Sequence, residues 1–243
     1  MTNPQVIALI LAGGEGTRAA QSIPKQYVQI EGIPILAYTM RAFDRHPLVD
    51  EIYVVCRQEW TELVSRTASE LAFKKFCATI PAGDTSIASI RNGIQALAAR
   101  YTASPTPTPA ATDPIVLVHD GVRPLISSAI ITDAVNVCRR HGNAIAAMQG
   151  EEAYMTGDAL KATSMIPREQ LWGAQTPHTF RLSAIVDAFR QARQRGINDS
   201  QSLYTLMAEL GHWPLYKSHG ERVNIKITHP EDIWLFSRLV SVL

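Results

Sequence analysis

The first residues with chemical potential form the run Leu11-Ala12-Gly13-Gly14-Glu15-Gly16-Thr17-Arg18. Glycines at 13, 14 and 16 let the backbone turn sharply and let its N–H groups converge on an anion without Cβ interference. Arg18, and then Lys25 in Pro24-Lys25-Gln26-Tyr27, bring two cations to the place where phosphates would lie. A diphosphate already bridged by backbone amides rarely needs both, whereas a triphosphate undergoing substitution does. The spacing Gly14-x-Gly16-x-x-Ala19 also satisfies the loose dinucleotide fingerprint of an NAD(P)-binding oxidoreductase. Against that alternative, the second apolar run ends Val54-Val55-Cys56-Arg57, where a ribose-binding acid would be expected. Taken one residue at a time, a tight turn with solvated Arg and Lys accounts for the loop; the combination with Pro24-Lys25-Gln26-Tyr27 favours a phosphate site.

Such a loop must be carried by rigid elements. Apolar, β-branched runs alternate with helical patterns in the rhythm of a parallel sheet covered by helices. Strands are expected at Val6–Leu11, Glu51–Cys56, Thr79–Pro81, Ile115–His119, Ala144–Met148 and Asn224–Thr228. Helices are expected at Ile35–Arg45, Trp60–Leu71, Ser86–Arg100, Ser127–Arg140, Leu182–Gln194, Gln201–Leu210 and from Pro230. The fold class is α/β: a Rossmann-like, mostly parallel sheet with helices on both faces. Thr102–Pro114, rich in Pro, Thr and Ala, reads as a mobile surface loop. Residues at about 149–172 lack a clean helical period and read as an extended arm or hairpin, a projecting β-arm on a single domain spanning 1–243.

Bulk properties narrow the partners. A net charge of +1 gives no general pull toward nucleic acid or an anionic membrane, so a phosphate-bearing ligand must meet a local cluster of basic groups. The N-terminal apolar run is too short for a signal peptide or membrane span. Cys56, Cys77 and Cys138 are widely spaced, with no Cys-x-x-Cys pattern, and read as buried thiols. A cytoplasmic protein is expected.

The glycine loop and Pro24-Lys25-Gln26 are followed, in order, by further short motifs: Gly83-Asp84-Thr85 with Ser89, Val118-His119-Asp120-Gly121-Val122-Arg123-Pro124, Ala174-Gln175-Thr176-Pro177, and Asn224-Ile225-Lys226-Ile227-Thr228 before Pro230-Glu231-Asp232. Together they resemble, nearly end to end, the cytidylyltransferase family that acts on 2-C-methyl-D-erythritol 4-phosphate or ribitol 5-phosphate. The resemblance implies attack of a phosphate-monoester oxygen on the α-phosphorus of CTP, with Mg²⁺ bound alongside the nucleotide and pyrophosphate leaving. Positioned cations can supply much of the catalysis of such a step.

The resemblance implies catalytic roles for Arg18, Lys25 and Lys226, and nucleotide binding by Ala12, Gly13, Gly14, Gly16, Thr17, Gly83, Asp84, Ser89 and Asp120. Lys226, flanked by Ile225 and Ile227, reads as an inward-pointing lysine that needs an anionic partner. Asp120, at the end of a buried strand, could coordinate Mg²⁺ or bind ribose and substrate hydroxyls. Ser89 is either a nucleotide contact or an ordinary small helix residue, and Thr176 is an acceptor contact by the same resemblance or otherwise a turn hydroxyl. Arg123 either contacts substrate or organises its loop through an ion pair. His119 reads as structural, because a phosphate dianion needs no base to attack.

The acceptor side departs from the pattern. The Arg-Asp-Thr-like run of the methylerythritol enzymes, and the Val-Asp-Thr of the polyol relatives, are replaced by Gln149-Gly150-Glu151-Glu152-Ala153. Arg168 is the candidate for the missing positive charge. Leu171-Trp172-x-Ala174-Gln175-Thr176-Pro177 looks closer to the methylerythritol branch, which is placed first, with ribitol 5-phosphate or another polyol phosphate as the alternative. The resemblance also implies a homodimer in which the arm completes the neighbour's acceptor site. A non-catalytic nucleotide-binding module is the remaining alternative, disfavoured by the intact Arg18, Lys25, Asp120 and Lys226.

Overall fold

The computed structural model describes residues 4–14, 23–102 and 113–241. The alternating period of the apolar runs explains the architecture directly. Along β1 (Val6–Leu11), Val6, Ala8 and Ile10 point to one face and Ile7 and Leu9 to the other, and all five are fully buried. A strand apolar on both faces must be covered on both.

One face packs against α1 (Ile35–Arg45), α2 (Thr61–Glu70) and α4 (Ser128–His141), through Met40, Phe43, Val64, Ile131 and Val135. The other packs against α3 (Ser86–Thr102), α5 (Leu182–Arg195) and α6 (Leu203–Glu209), through Ile90, Ile94, Ile185 and Leu206. Ser127 caps α4 by accepting from the Ile130 N–H at 3.2 Å, and Gly142, at φ 86°, ends it in the left-handed conformation.

The main sheet joins β1 to β4 (Glu51–Cys56), β5 (Phe76–Pro81), β6 (Ile115–Asp120), β7 (Asn143–Gln149), β10 (Trp172–Arg181) and β11 (Lys217–His219) in the order β11-β7-β10-β6-β1-β4-β5. Neighbours are parallel except at β10, which runs antiparallel to both β6 and β7. Strands β2 (Gln29–Ile30) and β3 (Ile33–Pro34) form a small separate ribbon before α1. The chain leaves β1 for β4 and β5 on one side and returns to β6 on the other. This strand-order reversal opens a crevice at the C-terminal ends of β1, β4 and β6, where sheets of this kind hold their ligands.

The expected arm is present. β8 (Tyr154–Gly157) and β9 (Ala162–Ile166) form an antiparallel hairpin outside the main sheet, with Met155, Leu160 and Met165 exposed. Three expectations need correction. Asn224–Thr228 forms no strand: its backbone instead meets the loop after β6, with the Ile227 N–H donating to the Val122 carbonyl at 2.9 Å. The last strand is the short polar edge β11, which has no apolar run to announce it. Strand β10 was also not anticipated, because Gly173 and Pro177 interrupt its pattern and its register against β7 shifts between Ala174 and His178. Of the three thiols expected to be buried, the fold buries Cys56 and Cys138 but leaves Cys77, on the edge strand β5, exposed. Residues 103–112, most of the expected surface loop, lie outside the described residues.

Phe43 on α1 links core and crevice: it is fully buried and meets the His119 ring edge-on, 5.1 Å between centroids. Phe43→Ala should cost about 3–5 kcal/mol of stability by opening a cavity there. The check is the denaturant midpoint at constant m-value.

Candidate active site

A cavity of about 630 Å³ occupies the crevice. Its floor is the end of β1 and the start of the glycine loop, Leu11 to Gly14. The second half of the Pro24-Lys25-Gln26-Tyr27 motif explains how that loop is held. Gln26 is buried, and its amide donates to the carbonyls of Ala12 at 2.8 Å and Gly14 at 2.7 Å. Tyr27 donates to the same Ala12 carbonyl at 3.0 Å, while its ring stacks on Trp60 at 4.3 Å. With these carbonyls occupied from behind, the loop is fixed in place while Lys25, one residue earlier, lines the cavity. Gly13 is dictated by packing, since a Cβ there would lie 2.5 Å from that of Ala82. Gly16, Thr17 and Arg18 lie outside the described residues.

A second wall comes from the turn between β5 and α3. Gly83, Asp84, Thr85, Ser86 and Ser89 all line the cavity. The Ser89 hydroxyl accepts from the Gly83 N–H at 3.1 Å and donates to the Gly83 carbonyl at 3.2 Å, so it shapes the turn as well as facing the cavity. Gly83 is required by contact, its Cβ position lying 2.6 Å from Ala88 Cβ. Arg57, just past the end of β4, lines the cavity and donates from Nε to the Gly13 carbonyl at 3.2 Å. It was read in the sequence only as the absence of an acid. Its position one residue beyond a strand that ends at the crevice was the signal available.

The third wall is electrostatic. Asp120 Oδ2 pairs with Lys226 Nζ at 3.1 Å and with Arg123 Nε at 3.2 Å. Burial acts to raise the Asp120 pKa, but the two cations outweigh it and hold the carboxyl below its ordinary value, charged at neutral pH. Lys226 thus has the anionic partner that its apolar flanks required. Its side chain is nevertheless 45% exposed toward the cavity rather than buried, because residues 224–228 are not a strand. Arg123 Nη1 also donates to the Asn224 carbonyl at 2.6 Å, tying the Lys226 segment to the loop after β6.

Behind Asp120 lies a closed network. His119 Nε2 faces the Arg123 carbonyl at 3.2 Å, which can only accept, so in the neutral ring Nε2 carries the proton. Nδ1 then accepts from Thr176 Oγ1 at 3.0 Å, while Oγ1 itself accepts from the Asp120 N–H at 3.1 Å. This arrangement needs a neutral imidazole, and burial pushes the His119 pKa down to about 4. Thr176 is buried and does not line the cavity: its hydroxyl positions the Asp120 backbone. Asn224, fully buried, donates to the Thr176 carbonyl at 3.0 Å and to Gln175 Oε1 at 3.1 Å, a role its sequence context did not suggest. Arg168 sits in a short turn on the arm, exposed and outside the lining of the cavity.

The described residues contain no group of three or more His, Cys, Asp or Glu placed to hold a metal ion on their own. Their donors nonetheless suit a cation that arrives with phosphates. Mg²⁺ takes one or two carboxylates plus substrate oxygens, and Asp120 Oδ1 is engaged by no described residue while Oδ2 binds Lys226 and Arg123. No helix among the described residues is long and apolar enough to cross a membrane.

A glycine-floored crevice at the strand-order reversal, walled by Lys25, Arg57 and Lys226 with Asp120 held charged beside Lys226, defines a nucleotide-binding transferase of the α/β class. The family model described as 2-C-methyl-D-erythritol 4-phosphate cytidylyltransferase (IspD) matches residues 6–240, and the chain belongs to that family of CTP-dependent enzymes. It is 34% identical over 234 residues to a ribitol-5-phosphate cytidylyltransferase of Lacticaseibacillus paracasei, covering 95% of this chain and 96% of that one. It is 35% identical over 234 residues to a 2-C-methyl-D-erythritol 4-phosphate cytidylyltransferase of Geotalea uraniireducens, covering 95% and 94%. Among solved structures, a 4-diphosphocytidyl-2C-methyl-D-erythritol synthase of Anaerococcus prevotii matches in fold with a TM-score of 0.80 at 22% identity, covering 98% of this chain and 99% of that one. The 2-C-methyl-D-erythritol 4-phosphate cytidylyltransferase of Thermus thermophilus matches with a TM-score of 0.72 at 25% identity, covering 99% and 100%.

Three buried histidines set a pH dependence, and burial lowers the pKa of each, His46 included. His119 and His178 both have pKa values pushed by burial from 6.5 to about 4. Between those values the unfolded chain binds protons that the folded chain does not, so stability falls as pH falls through that window. Denaturant midpoints measured from pH 7 to pH 4 should decline, and the decline should be shallower in a His119→Gln, His178→Gln variant. A flat wild-type profile would contradict the neutral-imidazole network.

Proposed function

We propose that this enzyme transfers CMP from CTP to 2-C-methyl-D-erythritol 4-phosphate. The observation that carries the transfer chemistry is the set of cations, Lys25, Arg57 and Lys226, lining a cavity whose floor is a pinned glycine loop. The N–H groups of Gly13 and Gly14 would receive triphosphate oxygens, and the turn at Gly83 to Ser89 would receive the ribose or base. An oxygen of the acceptor phosphate attacks the α-phosphorus; that P–O bond forms as the bond to the β-phosphate oxygen breaks and pyrophosphate leaves. Lys25 and Lys226, with Arg18 by family resemblance, stabilise the charge that builds on the α-phosphate and the leaving group.

Asp120 has two tasks in this reading. It holds the Lys226 ammonium through Oδ2, and its other oxygen would hold Mg²⁺ bound with CTP. When bound, that ion neutralises phosphate charge and orients the triphosphate. Arg123 orders the loop and the Lys226 segment, and Thr176 acts through Asp120.

The acceptor assignment rests on the family model and on the Leu171-Trp172-x-Ala174-Gln175-Thr176-Pro177 run. Ribitol 5-phosphate is the second reading, favoured by the Lacticaseibacillus paracasei relative. Arg168 would supply acceptor-phosphate charge across a homodimer, an arrangement supported by its place on an arm whose Met155, Leu160 and Met165 are exposed. A cytoplasmic setting belongs to the same proposal: Cys56, Cys77 and Cys138 are all free thiols.

Pyrophosphate release assayed with the four nucleoside triphosphates and both polyol phosphates should require CTP and Mg²⁺ and be fastest with methylerythritol phosphate. Faster release with ribitol 5-phosphate would transfer the assignment to the second reading. Lys25→Ala should lower kcat by about 10²–10³ if it removes one preorganised charge at the reacting phosphate. Light scattering should give a dimer, and an active monomer would remove the cross-subunit role of Arg168.

A further inference from the structure

A second cavity, of about 560 Å³, lies between α3 and α5, and its lining shares no residue with that of the nucleotide site. Its apolar surface includes Ile94 of α3 and Val186 and Phe189 of α5, the valine being 39% exposed. Arg91 of α3 and Arg190 and Arg193 of α5 also line it, and no carboxylate does. Asp187 pairs with Arg190, and Gln191 donates to the same carboxylate, but Asp187 does not face the cavity. Arg91 and Arg193 have no carboxylate partner among the described residues.

Concave apolar surface joined to a few convergent polar groups is the form of a small-molecule site, and this volume lies in the ordinary range for one. Guanidinium groups from two facing helices suit a carboxylate or phosphate head, which each can meet with paired N–H donors. An apolar floor beneath such a rim takes a hydrocarbon or aromatic body. A neutral apolar ligand would leave the arginines unused, and a bare anion would leave the floor wet. Ile197 and Leu206 extend the same apolar lining beyond the two helices.

We propose that the groove between α3 and α5 binds a freely diffusing, small amphipathic anion, its head on Arg91 and Arg193 and its apolar body on Ile94, Val186 and Phe189. None of these residues belongs to the transfer site, so the inference is independent of which acceptor the enzyme uses.

Decanoate is a suitable probe because it carries no phosphate to compete for the nucleotide or acceptor sites. Calorimetric titration below its micelle concentration, with CTP and Mg²⁺ saturating the enzyme, should show one decanoate per chain. Acetate and decanol should each bind at least tenfold more weakly. The Arg91→Ala, Arg193→Ala variant should lose at least tenfold in decanoate affinity while its CTP-dependent pyrophosphate release stays within twofold of wild type. Val186→Glu, which places a carboxylate at the groove, should weaken decanoate similarly. Undiminished binding by both variants would overturn the proposal, as would decanol binding as tightly as decanoate. Binding lost on CTP addition would locate the ligand in the nucleotide cavity and also overturn it. So would stoichiometry that falls with rising protein concentration, which would mean a second copy covers the groove. Retention of the protein on anionic vesicles without decanoate binding would assign the arginines to a membrane surface instead.

Discussion

The ion cluster on Asp120 is the constraint around which the rest of the site is arranged. A carboxylate at the end of a buried strand faces a desolvation penalty that favours its neutral form. Lys226 and Arg123 reverse that preference, and each is brought there by a different part of the chain. Arg123 comes from the turn immediately after β6, and Lys226 from a segment about a hundred residues later that is fastened by Arg123 itself and by Asn224. Neither cation could be moved without leaving Asp120 underpaired, so the segment carrying Asn224 and Lys226 is locked to the centre of the sheet. The charge that this holds at the cavity wall is an ammonium partly open to ligand, which suits contact with phosphate.

A second layer supports that charge without touching the cavity. His119, Thr176 and the Asp120 backbone form a chain of hydrogen bonds in which every donor has one available acceptor. The neutral state of His119 is therefore a structural requirement, and burial against Phe43 supplies it. The glycine loop is treated the same way from the other side: Gln26 and Tyr27 occupy its carbonyls. In both places buried polar groups fix geometry, and the groups facing the cavity inherit it.

Much of this was legible in the sequence, and for identifiable reasons. β1, β4 and α1 have strong periodicity and few competing signals, so Val6–Leu11, Glu51–Cys56 and Ile35–Arg45 were bounded as the structure has them. Local motifs led to Gly13, Gly83, Ser89, Asp120 and Lys226, which the fold gathers into one cavity. The parts that escaped depend on tertiary context. β10 is stabilised by strands on both sides despite Pro177, and β11 is an edge strand with almost no apolar character. Residues 224–228 alternate like a strand, yet their hydrogen bonds go to a loop. Arg57 and Asn224 gain their roles only through neighbours distant in sequence, which single-residue types do not announce.

The antiparallel strand β10 has a further consequence. The arm leaves the sheet from β7 and re-enters on β10, and these two strands are paired at its root, with the Gly150 N–H donating to the Leu171 carbonyl at 3.0 Å. The hairpin is therefore a loop closed at its base by neighbouring strands, and its length and composition place no strain on the crevice at the other side of β6. Such an arrangement is modular. Substitutions that redraw the arm can accumulate while the crevice and its glycine loop stay intact, so the hairpin is free to change without rebuilding the site that handles CTP.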